Sequence, residues 1–303
     1  MKILIIGLGS IAKKHIASIR IYEPNADIYA LRSNKTAVSY ENVKDWYDWD
    51  TALSIQYDFI IISNPTANHR NTIERLKGLN TPLFIEKPLF DSLKGLELVK
   101  ELQENNVPTY VACNLRFLDV IKDLRHLIEG KRINEVNVYC GSYLPDWRPN
   151  IDFRQCYSAI PEMGGGVHID LIHEIDYIYW LLGNPLTVQK VFANKSSLDI
   201  RAYDYANYLL EYDSFYVDII LNYYRRDSRR TCEIVTSEET YVADLLNGTI
   251  TNGKGEIIKE YTQRIIDTYN DQIYSFLAML KSGVFNFNTA EDAYNVLKIC
   301  LES

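Results

Sequence analysis

The sequence predicts an α/β N-terminal domain with a parallel sheet, followed by an α+β domain with a large, mostly antiparallel open sheet. The first observation is a set of short apolar runs, at 2–6, 28–31, 58–63, 83–85 and 107–112. The second is the set of helical patterns between them, at 10–22, 67–77 and 91–105. Strands that alternate with helices are typical of crossover units and a parallel sheet. We therefore expect a first domain over 1–115 and a second over 116–303.

The third observation is a change of pattern after residue 115. A helical stretch at 118–128 and a strand at 133–142 lead into a long irregular segment, 143–166, and then a helix at 167–182. Strand-like runs then follow one another at 186–194, 203–212, 216–224, 229–236, 239–245 and 248–260. Asp213-Ser214 and Asn247-Gly248 stand where hairpin turns would fall, which predicts an antiparallel meander. Helical stretches at 268–281 and 289–301 close the chain.

Composition narrows the class of protein. At 303 residues the chain is long enough for two domains with their own cores. Its net charge of −8 argues against nucleic-acid binding, which needs a basic face. The five cysteines are scattered without metal-ligand spacing, which favours reduced thiols and a cytoplasmic location. No apolar stretch approaches the roughly 20 residues of a membrane span.

A glycine turn follows the first strand. Gly7, Gly9 and Ala12 fit the pattern G-x-G-x-x-G/A, with Ser10 and Ile11 between them. The first glycine permits the tight turn, the second lets a pyrophosphate approach the backbone, and the alanine lets the helix pack closely. A helix N-terminus then offers N–H groups to the phosphates. This context predicts a Rossmann domain that binds NAD or NADP.

The end of the second strand bears on the choice between the two cofactors. Binders of NAD place an acidic residue there for the ribose hydroxyls. This sequence has Arg32 and Ser33 instead. Both could bind a 2′-phosphate, so NADP is predicted in preference to NAD, with the alternative that Arg32 only covers the adenine.

Polar residues follow two further strands of the predicted sheet. The first group is Ser63, Asn64, Pro65 and His69, and the second is Glu86 with Lys87. Ligands of open α/β sheets bind at the carboxyl ends of the strands. We therefore expect these residues to contact the nicotinamide half of the cofactor.

These segments resemble the Gfo/Idh/MocA family of oxidoreductases. The resemblance rests on the glycine turn, Glu86-Lys87-Pro88, Asn114-Leu115-Arg116-Phe117, and Gly164-Gly165-Gly166 followed by Asp170 and His173. It implies catalytic roles for Lys87, Asp170 and His173, a cofactor contact for Asn114, a cis bond before Pro88, and a homodimer or homotetramer formed through the second sheet. Leu171 and Ile172 depart from the small residue that the family has between the aspartate and the histidine.

The residue types agree with these implied roles. Asp170 and His173 lie three apart on a predicted helix, so they would share one face. A carboxylate beside an imidazole fixes its tautomer and raises its basicity. His173 could take the hydroxyl proton of a carbinol while Lys87 stabilises the oxygen. We expect the amine and the imidazole to meet at the reactive carbon.

The long segment 143–166 is the candidate substrate site. Trp147 and Tyr157 could stack on a sugar ring, and Arg148 and Arg154 could bind a phosphate or carboxylate. Arg116 at the domain junction could face the same pocket. The alternative is a structural loop whose arginines pair with nearby aspartates. The first interpretation favours a sugar, sugar acid or nucleotide-sugar substrate.

Three other functions remain open at this point. A metal-dependent hydrolase would use His168, Asp170, His173 and Glu174, but His168 and His173 diverge around a helix. A non-catalytic NADP-binding sensor would not need Lys87, Asp170 and His173. Redox-assisted glycoside cleavage would use the same cofactor transiently.

Overall fold

The computed structural model describes residues 1–302, which form two compact units. The first unit comprises Met1–Cys113 and the chain from Tyr269 onward, and the second comprises Asn114–Thr268. The prediction assigned everything after residue 115 to the second domain. The C-terminal helices belong instead to the first unit, where Asn288 donates a hydrogen bond to the Val111 carbonyl and Ala290 N–H donates to Thr109.

The first unit is built on a six-stranded parallel sheet with four helices in its N-terminal part. Its elements are β1 (Lys2–Ile6), α1 (Ser10–Tyr22), β2 (Asp27–Leu31), β3 (Val43–Trp46), α2 (Trp49–Leu53), β4 (Phe59–Ile62), α3 (His69–Leu76), β5 (Leu83–Glu86), α4 (Leu96–Glu104) and β6 (Thr109–Ala112). All neighbouring strands are parallel, in the order β3-β2-β1-β4-β5-β6. This is the doubly wound order of dinucleotide-binding domains, and the predicted α/β parallel sheet is confirmed.

The composition of the central strands explains why they could be predicted from the sequence. β1, β4 and β5 are almost continuous runs of Ile, Leu and Phe, and β4 and β5 are buried along their whole length. Strands covered on both faces are expected to be apolar throughout. β3 and α2 were not predicted, because Val43–Trp46 lies at the sheet edge and carries charged residues.

The second unit contains an eight-stranded sheet and three helices. Its elements are α5 (Asp119–Ile128), β7 (Ile133–Tyr143), α6 (Val167–Asp170), α7 (His173–Leu182), β8 (Thr187–Ala193), β9 (Tyr205–Glu211), β10 (Tyr216–Asn222), β11 (Tyr224–Thr236), β12 (Thr240–Asp244), β13 (Thr249–Thr251) and β14 (Ile257–Glu260). The strand order is β14-β13-β12-β11-β7-β10-β9-β8. Every pair is antiparallel except β7 with β10, so the mostly antiparallel sheet is confirmed.

The connection of these strands corrects the predicted single meander. β7 lies between β10 and β11, which splits the sheet into two meanders. The predicted hairpin positions are confirmed: Asp213-Ser214 joins β9 to β10, and Asn247-Gly248 joins β12 to β13. The predicted strand over 248–260 is two short strands, because the chain turns at 252–255.

Two helices, α8 (Thr268–Ser282) and α9 (Ala290–Leu301), end the described chain. α9 begins with a capping box, in which Thr289 and Asp292 exchange hydrogen bonds with each other's backbone N–H groups. Phe276 on α8 packs against Phe59 and Phe84 of the parallel sheet. Within residues 1–302 none of the helices combines the length and the apolar character that a bilayer crossing demands.

Candidate functional site

The glycine turn adopts the geometry that its sequence predicts. Gly7 has φ +87°, and a Cβ there would lie 2.8 Å from the Asn64 Cα and N atoms. Only glycine permits both the positive φ and this close approach. Gly7 follows β1 and Ser63 follows β4, the two strands between which the strand order reverses. Ligands of this sheet type bind at that switch point.

The N-terminus of α1 fits a pyrophosphate. Gly9 is the N-cap of the helix, it offers no side-chain cap, and a Cβ built on it would meet nothing within 4 Å. The first turn, which includes Ser10, Ile11 and Ala12, carries no acidic residue. These backbone N–H groups and the open space beside Gly9 are what a dinucleotide phosphate requires, so the residues present fit the cofactor.

The structure places Arg32 inside the protein. Its guanidinium donates to the Asp45 carboxylate at 2.8 Å and to the Val38 carbonyl at 3.1 Å, and the side chains of Arg32 and Asp45 are each 8% exposed. Asp45 lies on β3, which the sequence patterns did not reveal. Ser33 is exposed. The predicted 2′-phosphate contact therefore competes with an internal ion pair for the Arg32 guanidinium.

The loop after β4 is held by hydrogen bonds to its neighbours. The Ser63 hydroxyl donates to the Gly7 carbonyl at 2.9 Å, and the Asn64 amide donates to Thr72 at 2.8 Å. Pro65 is exposed, whereas His69 is buried against backbone carbonyls. Burial lowers the pKa of His69. Ser63, Asn64 and Pro65 therefore lie in one loop beside the glycine turn, and His69 begins the helix that follows and contacts the Asn64 carbonyl.

Lys87 is half-buried and directly follows β5. The Lys87-Pro88 bond is cis, as predicted. The Glu86 carboxylate is buried, with Oε1 2.5 Å from His15 Nε2 and Oε2 accepting a hydrogen bond from the Lys87 N–H. His15 was not singled out in the sequence, because it lies 71 positions from Glu86 and only the fold brings them together.

The start of the second unit contains two buried side chains that were predicted to contact ligands. Asn114 donates to Thr268 at 2.8 Å. Arg116 donates to both oxygens of Asp176, at 2.9 and 2.7 Å. Arg116 and Asp176 are each less than 5% exposed, so this bidentate pair is part of the interior of the unit. The sequence predicted that Arg116 contacts the substrate. In the structure its guanidinium binds the Asp176 carboxylate instead.

The predicted helix over 167–182 is wrong in one respect that affects the site. α6 ends at Asp170 and α7 begins at His173, because the N–H groups of Ile172 and Glu174 bond to carbonyls only three residues earlier. This tight turn interrupts the α-helical ladder between the two predicted catalytic residues. The argument that they share one face of a continuous helix therefore does not apply.

Asp170 is bound by a residue that the sequence reasoning missed. The buried Tyr223 hydroxyl donates a hydrogen bond to Asp170 Oδ2. Burial, with the charge on Asp170 as the next cause, raises the pKa of Tyr223 well above its ordinary value, so the phenol stays protonated. His173 is half-buried at the first position of α7. Nothing in the sequence pattern separates Tyr223 from the other tyrosines of the sheet.

After Tyr143, which ends β7, the segment up to 166 contains four short 3₁₀ turns joined by irregular chain. Trp147 packs edge-on against Tyr223, with ring centroids 5.3 Å apart, and donates to Ser142. It is nevertheless 39% exposed. Arg148 and Arg154 are exposed and Tyr157 is half-buried, and Arg154 lies over the Phe153 ring. One predicted substrate residue, Trp147, is therefore linked through Tyr223 to Asp170.

His168 lies in an aromatic environment. Its ring packs against Phe192 and Tyr203, with centroids 4.9 and 5.3 Å apart. Glu174, which the metal alternative also required, is fully buried and paired with Arg230. Over residues 1–302 there is no group of three or more histidine, cysteine, aspartate or glutamate side chains suited to a metal ion.

Comparisons with known proteins agree with this architecture. Residues 1–113 match the family described as "Oxidoreductase family, NAD-binding Rossmann fold", and residues 121–242 match "GFO/IDH/MocA C-terminal domain". The uncharacterized oxidoreductase YrbE of Bacillus subtilis is 26% identical over 64% of this chain, and the match spans 57% of that protein. The scyllo-inositol 2-dehydrogenase (NAD(+)) of Bacillus subtilis is 23% identical over 95% of this chain and 89% of its own length.

A solved structure extends the likeness to the whole fold. The structure of GenD2 from gentamicin A biosynthesis, in complex with NAD, superposes with a TM-score of 0.82 at 18% identity. The superposition covers 99% of this chain and 92% of that one. Together, the two matched domains and the site residues that they contain lead to one conclusion: the chain belongs to the GFO/IDH/MocA family and is an oxidoreductase with an NAD(P)-binding Rossmann domain.

Proposed function

We propose that this protein moves a hydride between NAD(P) and a CH–OH carbon of a sugar, sugar acid or nucleotide sugar. The observation that carries the proposal is the position of Lys87. It follows β5 on a sheet with the dinucleotide-binding strand order. β5 lies next to β4, which carries the Ser63–Pro65 loop, and β4 lies next to β1, which carries the glycine turn. An amine at the carboxyl end of such a strand lies on the side of the sheet where its ligand binds.

The cofactor would be held by the first unit. The N–H groups of the first turn of α1 would bind the pyrophosphate, and Gly7 and Gly9 would let it approach the backbone. When bound, NAD(P) supplies the hydride acceptor. Ser63, Asn64, Pro65 and Asn114 remain predicted contacts of the nicotinamide half.

The protein side of the chemistry is proton transfer and charge stabilisation. His173 takes the hydroxyl proton of the substrate, and Asp170 holds a negative charge that favours the resulting imidazolium. Lys87 donates a hydrogen bond to the same oxygen and stabilises the charge that develops on it. Support for this assignment comes from the buried Tyr223 hydroxyl, which donates a hydrogen bond to the Asp170 carboxylate and stabilises its negative charge.

The ion pair of Arg32 bears on the preference between NADP and NAD. The predicted preference for NADP requires a guanidinium that can reach a 2′-phosphate, whereas Arg32 is bound to Asp45. We propose that this ion pair weakens the predicted NADP preference and leaves NAD binding at least comparable. Dissociation constants for both cofactors, measured by quenching of protein fluorescence, test this. Binding of NADP that is ten or more times tighter, about 1.4 kcal/mol, would reinstate the original prediction.

The substrate class follows from Trp147 and its surroundings. An exposed indole that packs against Tyr223, the donor to Asp170, can stack on the apolar face of a sugar or cyclitol ring. Arg148 and Arg154, both exposed, are proposed to bind an acidic group of the substrate. The scyllo-inositol 2-dehydrogenase (NAD(+)) among the relatives is named for a polyol substrate. Polyols, sugar acids and nucleotide sugars should therefore be screened with both cofactors. Unchanged KM in Arg148→Ala and Arg154→Ala would remove the acidic group from the proposal.

We also propose that the second sheet pairs two copies of the chain. Alternate side chains along these strands are buried on one face of the sheet. The opposite face bears exposed apolar side chains, among them Val191, Tyr216 and Tyr224. Such a patch is commonly an interface. Light scattering should give the mass of a homodimer or homotetramer, and a monomer of 35.1 kDa would contradict this proposal.

The test of the catalytic assignment is substitution of Lys87. Lys87→Ala should reduce turnover about 100- to 10,000-fold, because both the hydrogen bond and the positive charge at the reacting oxygen are lost. Cofactor affinity should stay close to that of the wild type. Lys94→Ala removes an exposed lysine of the same region and is the matched control. Near-normal turnover of Lys87→Ala would refute the assignment.

A further inference from the structure

A buried histidine is connected to the proposed catalytic lysine through one carboxylate. His15 lies on α1 and has no exposed surface. Its Nε2 is 2.5 Å from Glu86 Oε1, and Glu86 Oε2 accepts a hydrogen bond of 3.2 Å from the Lys87 N–H. The chain of contacts therefore runs from a buried side chain of α1 to the peptide group of Lys87.

The local packing does not by itself require a histidine at position 15. The ring packs edge-on against Phe84 and Tyr269, an environment that a leucine or phenylalanine would fill. Nδ1 of His15 is buried and has no hydrogen-bond partner within residues 1–302. A buried polar atom without a partner costs free energy. An apolar residue at position 15 would avoid the cost of the buried Nδ1. The hydrogen bond from Nε2 to Glu86 is therefore the feature that distinguishes histidine from an apolar residue here.

The other side of Lys87 is held independently. His69 Nδ1 lies 3.1 Å from the Pro88 carbonyl and 3.2 Å from the Leu89 carbonyl, and its Nε2 lies 3.0 Å from the Asn64 carbonyl. The residues after Lys87 are therefore anchored to the loop after β4. The residues before Lys87 belong to β5. The Lys87 N–H lies between these two anchored segments, and its hydrogen bond to the Glu86 carboxylate sets its orientation.

We propose that His15 is a positioning residue, which orients Lys87 by fixing the Glu86 carboxylate. Since α1 also offers its N-terminus to the cofactor pyrophosphate, the same helix locates both the cofactor and the lysine. Loss of the His15 hydrogen bond lets the Glu86 carboxylate turn and releases the Lys87 N–H. This inference rests on the proposed function only in treating Lys87 as the catalytic amine.

Two substitutions of His15 separate positioning from packing. His15→Leu removes the donor and keeps an apolar ring-sized side chain, whereas His15→Gln keeps an N–H that can reach Glu86. We expect His15→Leu to lower kcat about 10- to 100-fold, the range for losing one hydrogen bond to a charged group. His15→Gln should recover most of that loss, and cofactor affinity should change by less than about threefold in both, because the N-terminus of α1 is unaltered.

Ile19→Ala is the matched control. Ile19 lies on the same helix, is equally buried, and has no polar contact with Glu86. Its substitution should lower the melting temperature while kcat is retained. A loss of kcat in Ile19→Ala as large as that in His15→Leu would show that any damage to α1 suffices, and it would overturn the positioning role.

Hydrogen–deuterium exchange gives a readout that does not depend on activity. Pro88 has no N–H, and the β5 amides are bonded within the sheet. Changes of exchange in a peptide that begins at or before Leu83 and ends at Leu89 therefore report mainly on the Lys87 and Leu89 amides. Exchange in this peptide should be faster in His15→Leu and near wild-type in His15→Gln. If His15→Leu does not fold, Glu86→Leu removes both acceptor oxygens between His15 and the Lys87 N–H and should accelerate the same exchange.

The outcomes distinguish this inference from the proposed function. Faster exchange in His15→Leu with an active Lys87→Ala would retain the His15–Glu86–Lys87 connection but refute the catalytic lysine. Unchanged exchange and unchanged kcat in His15→Leu, with an inactive Lys87→Ala, would retain the catalytic lysine and overturn the role of His15.

Discussion

The Tyr223 hydroxyl donates a hydrogen bond to the Asp170 carboxylate within the second unit. Both side chains are buried, and Trp147 packs edge-on against the Tyr223 ring. Because burial and the Asp170 charge raise the pKa of Tyr223, its proton stays on the phenol at neutral pH. The tyrosine is therefore a permanent donor that stabilises the ionised form of Asp170.

Substitution of Tyr223 by phenylalanine tests the importance of this bond. Tyr223→Phe removes one hydroxyl and leaves the ring that contacts Trp147. We expect kcat to fall about 10- to 100-fold, since a carboxylate that loses its buried donor supports His173 less well. Steady-state kinetics over a range of pH should also show the acidic limb of the profile move to higher pH, because protonation of Asp170 becomes easier.

The control for this variant is Tyr216→Phe on the exposed face of the same sheet. It should leave kcat and the pH profile unchanged. A Tyr223→Phe enzyme with the kcat and pH profile of the wild type would mean that Asp170 needs no help from the phenol.

The Arg32–Asp45 ion pair predicts how the cofactor preference can be changed. Asp45→Asn removes the charge that holds the guanidinium, and Arg32 could then bind a 2′-phosphate. We expect the ratio of the NADP and NAD dissociation constants to shift toward NADP by roughly 3- to 30-fold.

Asp50→Asn is the comparison variant, since Asp50 is an exposed carboxylate close in sequence to Asp45. It should leave the ratio unaltered. If Asp45→Asn also leaves the ratio unaltered, Arg32 does not contact the cofactor and the ion pair has only a structural role.

The Arg116–Asp176 pair predicts a large effect on stability. Removing one partner leaves a buried charge, so Asp176→Ala should lower the free energy of unfolding by about 3–5 kcal/mol. The double variant Arg116→Met with Asp176→Leu should lose less, because neither charge remains in the interior. Urea denaturation of the three proteins measures this difference. Equal losses in the single and double variants would contradict the interpretation of a desolvated pair.

The particular residues that sequence reasoning found and missed share a physical explanation. Gly7, Gly9 and the apolar strands were predictable, because backbone geometry and burial leave local patterns. Tyr223, His15 and Asp45 were not, because their partners Asp170, Glu86 and Arg32 lie elsewhere in the chain. The cytoplasmic location is not tested by any of these observations and stays a prediction.

The helix over 167–182 illustrates the other kind of failure. Its apolar pattern continues through Leu171 and Ile172, both of which are buried, so periodicity alone predicts one helix. The interruption consists of hydrogen bonds that span three residues, not four, around these two positions. Because both side chains at the interruption are buried, the apolar pattern is unbroken there and does not reveal it.

His168 predicts a stability that depends on pH. Burial, with a smaller contribution from Lys190, lowers the pKa of His168 from 6.5 to about 4. Above pH 6.5 the imidazole is neutral in the folded and unfolded chains and contributes no pH dependence. Between pH 6.5 and 4 the unfolded chain binds a proton that the folded chain does not, so stability falls as the pH is lowered, by roughly 3 kcal/mol in total.

The variant His168→Leu isolates this contribution. It has no proton to bind in either state, so the difference in unfolding free energy between the two proteins should narrow or reverse in favour of the variant as the pH falls from 6.5 to 4. Below about pH 4 both forms of His168 are protonated in the wild type and the difference should become constant. Urea denaturation at several pH values provides the comparison, and carboxylates that titrate in both proteins cancel in it. Parallel curves across this range would mean that His168 is protonated equally easily in the folded chain, and that its packing against Phe192 and Tyr203 does not exclude the charge.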